Sequence, residues 1–181
     1  MEPTLESCLP LLSQTPATLT ALLQGLTPAQ LDRNEGGDSW NAREVVAHLI
    51  HTDQTNWMPR IRHIIEFGES QPFPPFSRTG QRELDLSCPI ADLLKQFTET
   101  RHVNLDALLA LQLKASDFAL RGHHPVLGIV TISQLLSAWT THDLTHLHQL
   151  IRLLADPFRE AVGPFHRFLG VLQCQGHSSP A

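Results

Sequence analysis

Tyrosine is absent, and the chain has only three cysteines, Cys8, Cys88 and Cys174, far apart and with no C-x-x-C pair among them. An odd, sparse set of this kind excludes a disulfide framework and a thiolate zinc site, and it fits a reducing compartment. No apolar run approaches the ~18 residues that a membrane span needs. The opening residues, Met1-Glu2-Pro3-Thr4-Leu5-Glu6, lack the basic-then-apolar order of a secretory leader. The expected location is therefore the cytoplasm. Positive charge is also scarce: 13 Lys and Arg face 18 Asp and Glu, a formal net charge of -5. That balance argues against nucleic acid or anionic lipid as partners, since both want a basic face. Strand signals are nearly missing too. Residues 126–131 are the one β-branched cluster, and no period-two alternation extends beyond a few residues. No internal repeat of 20–50 residues occurs.

What is present is enough for a core. Hydrophobic residues make up 41% of 181, and a chain of that length buries roughly two thirds of its unfolded surface without staples. The reading is one domain over residues 1–172, with a disordered tail at 173–181. Helical apolar spacing covers residues 4–24, where Pro16 predicts a kink. Thr27-Pro28 opens a further helical turn. Asn41 and Glu44 have capping-box spacing and start a helix that can run to Phe67, where Gly68 stops it and Pro59 again threatens a kink. Residues 68–88 are a proline-rich loop. A third long helix runs from about Pro89 to Leu113, a second loop covers 114–130, and Thr131 with Gln134 caps a fourth helix that Asp156-Pro157 ends. A last short helix is expected within 158–172. Four main helices joined by long crossovers predict an all-α bundle, a natural frame for a site built from facing side chains.

Eleven histidines are many for this length. On the fourth helix His142 and His146 share the apolar stripe of Leu135, Trp139, Leu150 and Leu153. Side chains four apart lie on one face, so two imidazoles there can ligate one ion. Such a pair also arises by chance in a histidine-rich chain, and a pair leaves an ion under-coordinated, so a third ligand decides. His48 lies at the margin of the second helix's stripe, His51 is further toward its polar side, and His148 points into solvent. His63, His102, His123, His124, His166 and His177 show no ligand spacing. His142-Asp143-Leu144-Thr145-His146 is similar to the H-E-x-x-H of zinc proteases with Asp for Glu, but the acid is a methylene shorter and no further ligand follows at a recognised distance. Asp143 is expected beside the site, orienting a neighbour. Trp40 reads as a plug at the start of the second helix, Gln149 as a possible partner of a ligating histidine, and Asp53, Glu66 and Glu69 as a solvated helix face.

The stretch from Ser39-Trp40-Asn41 through Glu44 to His48-Leu49 resembles the first signature of the DinB-like superfamily. The stretch from His124-Pro125 through Gly128, Thr131 and Gln134, then His142-Asp143-Leu144-Thr145-His146 and Gln149-Leu150-Ile151, resembles the second. Thr15-Pro16 and Leu26-Thr27-Pro28 are similar to the usual opening of the family, so the resemblance spans about residues 5–154. It implies an up-down-down-up four-helix bundle, often a homodimer. It also implies one divalent ion, zinc or nickel, on His48, His142 and His146. Three imidazoles by themselves suit iron or copper as well. An open coordination position is the form of a catalytic site. The implied activities are metal-dependent hydrolysis and S-transfer from a low-molecular-weight thiol to a small molecule, and no catalytic residue is identifiable. The alternative is a non-catalytic metal-binding or stress-response interaction module, because no convincing general base or nucleophile stands out.

Overall fold

The computed structural model describes residues 4–174, so all but the first two residues of the expected tail lie outside the described residues. Six α-helices carry the fold: α1 (Leu5–Leu23), α2 (Pro28–Leu31), α3 (Ala42–Thr55), α4 (Trp57–Phe67), α5 (Ile90–Ala110) and α6 (Ile132–Ala155). Among the described residues, no helix is long and apolar enough to cross a membrane.

The helix starts follow local chemistry. Asn41 Oδ1 accepts the Glu44 amide at 3.0 Å while Glu44 Oε2 accepts the Asn41 amide at 2.9 Å. This reciprocal pair satisfies two amides that an uncapped helix leaves bare. Thr27 with Gln30 and Thr131 with Gln134 do the same for α2 and α6. The long second helix is interrupted at Asn56, not at Pro59. Pro59 is the third residue of α4, a first-turn position where no helical amide bond is lost.

The kink expected at Pro16 does not divide α1, which is one helix of 19 residues. Proline at position 16 leaves the Leu12 carbonyl without its helical donor, and Leu12 is fully buried. Arg101 Nη1 reaches across from α5 and donates to that carbonyl at 2.9 Å. The gap in one helix is thus filled by a side chain of another.

Helix directions follow from which residues meet. Leu19 and Leu23 of α1, Val46 and Leu49 of α3, Leu93 and Phe97 of α5, and Leu150 and Leu153 of α6 share one apolar cluster. Leu12 of α1, Trp57 and Ile61 of α4, Leu105 and Leu108 of α5, and Leu135 and Trp139 of α6 share the other. Residue numbers therefore rise in one sense along α3–α4 and α5, and in the opposite sense along α1 and α6. This is the up-down-down-up bundle. The two clusters have no member in common. Between them, on every long helix, lies a buried polar layer: Thr15, Asp53, Arg101, and Asp143 with His146.

Two regions expected to lack strands or to form helix differ. Within 114–130 the chain makes a 3-10 run, Ala115–Ala119, and an antiparallel hairpin of β1 (Arg121–His124) and β2 (Gly128–Thr131). Four-residue strands are too short to show a periodicity. The hairpin lies so close to α4 that a Cβ on Gly122 would come within 2.5 Å of Ile64 and 2.9 Å of Phe73. Residues 158–172 form 3-10 turns, Gly163–Phe168 and Gly170–Leu172, in place of an α-helix.

Candidate metal centre

The polar layer brings the three sequence-predicted ligands together. His48 Nε2 lies 3.1 Å from His142 Nε2, and His146 Nε2 lies 3.2 Å from that same atom. All three ligand atoms fall within 4.8 Å of one another. Two nitrogens bound to one tetrahedral zinc at about 2.05 Å stand roughly 3.3 Å apart. The nitrogens are thus spaced as ligands of a common ion, and α3 and α6 hold them there by running antiparallel through the layer.

Protonation favours ligation. Burial pushes the imidazolium form of His48 down to about 3, and the neighbouring His146 and His51 push the same way. Burial lowers His142 to about 2, reinforced by His146, His48 and Arg101. Burial lowers His146 as well, against the pull of Gln149 and Asp143. Neutral imidazoles with converging lone pairs are what a cation needs.

The outer nitrogens are treated unequally. His146 Nδ1 donates to Gln149 Oε1 at 2.8 Å, which leaves Nε2 free as the ligand atom. The Nδ1 atoms of His48 and His142 are buried and have no partner among the described residues. Gln81, 3% exposed, faces His48 closely enough to favour its charged form, yet its Oε1 makes no hydrogen bond among the described residues. Trp57 Nε1 is also buried and has no partner among the described residues, and its ring meets the His142 ring edge-on with centroids 5.3 Å apart. His48, His142, Gln81 and Trp57 thus each carry a buried polar atom with no partner among the described residues, where a fully satisfied core would leave none.

Walls and cover come from elsewhere in the chain. Trp40 lies against His48 with centroids 4.7 Å apart and stacks on His146 at 6.0 Å. The strap that carries the 3-10 turn Gly80–Glu83 crosses α3. His51 Nε2 donates to the Ser77 carbonyl at 2.9 Å, and Gly80 sits so tightly on the His51 ring that a Cβ would come within 2.2 Å. An open cleft of about 890 Å³, lined by Thr4, Phe118, Ser133 and Ser137 among others, lies against the first half of α6 and touches none of the three histidines.

Beneath the histidines lies a charged cluster that sequence reasoning missed. Asp53 was expected on a solvated face, yet it is 1% exposed. Arg101 Nε donates to its Oδ2 at 2.7 Å, and Trp139 Nε1 donates to its Oδ1 at 3.1 Å. Burial pushes the Asp53 carboxyl up to about 6, opposed by Arg101. Arg101 also holds Asp143, Nη1 to Oδ2 at 2.5 Å and Nη2 to Oδ1 at 3.0 Å. Burial disfavours its charge, but the Asp143 and Asp53 carboxylates outweigh that and hold it protonated. Glu66 and Glu69 are exposed, as the sequence suggested. His148 is half-buried and apart from the cluster, and so are His63, His124 and His166; His102 and His123 are exposed, and His177 lies outside the described residues.

No curated protein matches the chain in sequence. Among solved structures it is similar to YfiT from Bacillus subtilis, described as a probable metal-dependent hydrolase with an unusual four-helix bundle topology. The two are 22% identical over 87% of each chain, with a TM-score of 0.69, a likeness of fold. The DinB superfamily model matches residues 11–150, from the middle of α1 almost to the end of α6, and the chain belongs to that superfamily.

Proposed function

We propose that this protein is a metal-dependent enzyme, a hydrolase or thiol S-transferase acting on a small molecule, with zinc or nickel held by His48, His142 and His146. The observation that carries the reading is the convergence of three neutral imidazole nitrogens at 3.1 and 3.2 Å. YfiT, described as a probable metal-dependent hydrolase, shares the fold. A divalent ion with three protein ligands and an open position supplies Lewis acidity toward a water, a thiol or a carbonyl.

The chain's own contributions are positional. Gln149 fixes the His146 tautomer. Trp40 and Trp57 keep bulk water from the imidazoles and shape the space beside them. Asp143 is not placed as the base of an H-E-x-x-H protease, because both of its oxygens are engaged by Arg101. That same engagement favours the second reading, a non-catalytic metal-binding module, since it removes the acid nearest the ligands from proton transfer.

Elemental analysis of the purified protein, beside a variant carrying His142→Ala and His146→Ala, tests the site. About one equivalent of zinc or nickel is expected, and none in the variant. Absence of metal from both, even after adding zinc and nickel, sinks the reading. A metal-loaded protein that turns over no thiol conjugate, ester or amide leaves the non-catalytic module.

A further inference from the structure

Four arginines are not exposed, and three of them have a carboxylate partner. Arg43 pairs with Asp32 at 2.8 Å, Arg101 with Asp53 and Asp143, and Arg152 with Glu35. The fourth, Arg60 on α4, has no carboxylate within ion-pair distance among the described residues. Burial alone pulls its charged form down. Its guanidinium carbon lies 5.2 Å from the centre of the Phe73 ring and 6.0 Å from that of Phe76. Ring faces attract a cation, but they neutralise no charge. The neighbouring hairpin adds none either: its nearest titratable group, His124, is held toward its neutral form by burial and by Arg60 itself. An arginine kept half-buried and uncompensated is poised for an anion from outside the chain.

Its position joins it to the histidine centre. Trp57, whose ring meets His142, is three residues earlier on the same face of α4, about 4.5 Å along the axis. Phe76 bridges the other flank, with its ring 5.1 Å from that of His51, the residue that holds the strap. We propose that Arg60, held between Phe73 and Phe76, binds a carboxylate of the small molecule that reacts at the histidine centre. The assignment rests on that centre being a site for a small molecule. A planar carboxylate matches the guanidinium fork with two parallel hydrogen bonds, and the flanking rings favour a flat, apolar group behind it.

Benzoate is the probe, followed by NMR in metal-free and zinc-loaded protein, with inorganic phosphate in parallel. Saturable shifts at Phe76 and Gly80 with benzoate are expected in both forms, and also in the variant with His142→Ala and His146→Ala. Failure of the metal reading would thus leave this result standing. Arg60→Gln is expected to weaken benzoate at least 10-fold, Arg60→Lys less, and the exposed Arg62→Gln not at all. Arg60→Met is expected to leave Tm unchanged or higher, because it removes an uncompensated charge. Several outcomes overturn the assignment: no saturable benzoate shift, response to phosphate alone, benzoate binding confined to the metal-loaded form, or a lower Tm in Arg60→Met with benzoate affinity unchanged in Arg60→Gln.

Discussion

Among the described residues, His146 is the one clustered histidine with a partner for its outer nitrogen, Gln149 at 2.8 Å. An imidazole that donates from Nδ1 is locked as an Nε2 ligand and made more basic toward a cation. Gln149→Leu keeps all three ligands and removes only that acceptor. It is expected to weaken metal binding about 10–100-fold, the usual effect of losing such a partner. Competition with a chromophoric chelator measures this, and an unchanged affinity would show that packing alone orients His146. His142 and His146 were legible as a pair, because i,i+4 spacing on an apolar stripe is a property of one helix. His48 was not legible from periodicity, since its role depends on α3 lying antiparallel to α6, and only the resemblance singled it out. Asp53 was misread for a related reason. Its own helix says nothing of an arginine 48 residues away that takes it into the core.

At the level of elements, Arg101 connects four helices. It donates to Leu12 of α1, to Asp53 of α3 and to Asp143 of α6, from its own place on α5. Arg101→Leu would leave two facing carboxylates without a counter-charge and a buried carbonyl without a donor. Breaking a buried ion pair from one side costs about 3–5 kcal/mol, and a loss of that order is expected in urea unfolding of the metal-free protein. A loss below about 1 kcal/mol would mean that water enters and replaces the guanidinium, as it does for exposed pairs. The same residue fills the hydrogen-bond gap that Pro16 opens in α1, which runs on as one helix past the position where a kink was expected. Caps were legible because each is a contact between residues three apart. The break at Asn56 and the hairpin at 121–131 were not, because docking of Gly122 on Ile64 and Phe73 decides the hairpin and no local pattern does.

For the whole molecule, the polar layer makes stability depend on pH, and the sign can be worked out. His48 and His142 titrate near 6.5 when unfolded and at about 3 and about 2 when folded. Between those limits the unfolded chain binds more protons, so their contribution is fully present above pH 6.5 and is lost as pH falls. The slope is about 1.4 kcal/mol per pH unit for each group. His146 is lowered too and adds in the same sense. Asp53 acts oppositely. Its carboxyl is raised from 3.8 to about 6, so between those values the folded state holds the extra proton and gains stability as pH falls. One carboxyl offsets about one imidazole, and the histidines prevail. The metal-free protein, in a chelator that remains effective in mild acid, is expected to lose about 1–3 kcal/mol between pH 6.5 and 5. The urea midpoint measures it. Metal-loaded protein is expected to fall more steeply, because protons and the ion compete for the same lone pairs. A flat or rising profile in the metal-free protein would mean that the imidazoles are already charged or hydrated in the folded state. The bundle would then not hold a neutral donor set ready for an ion.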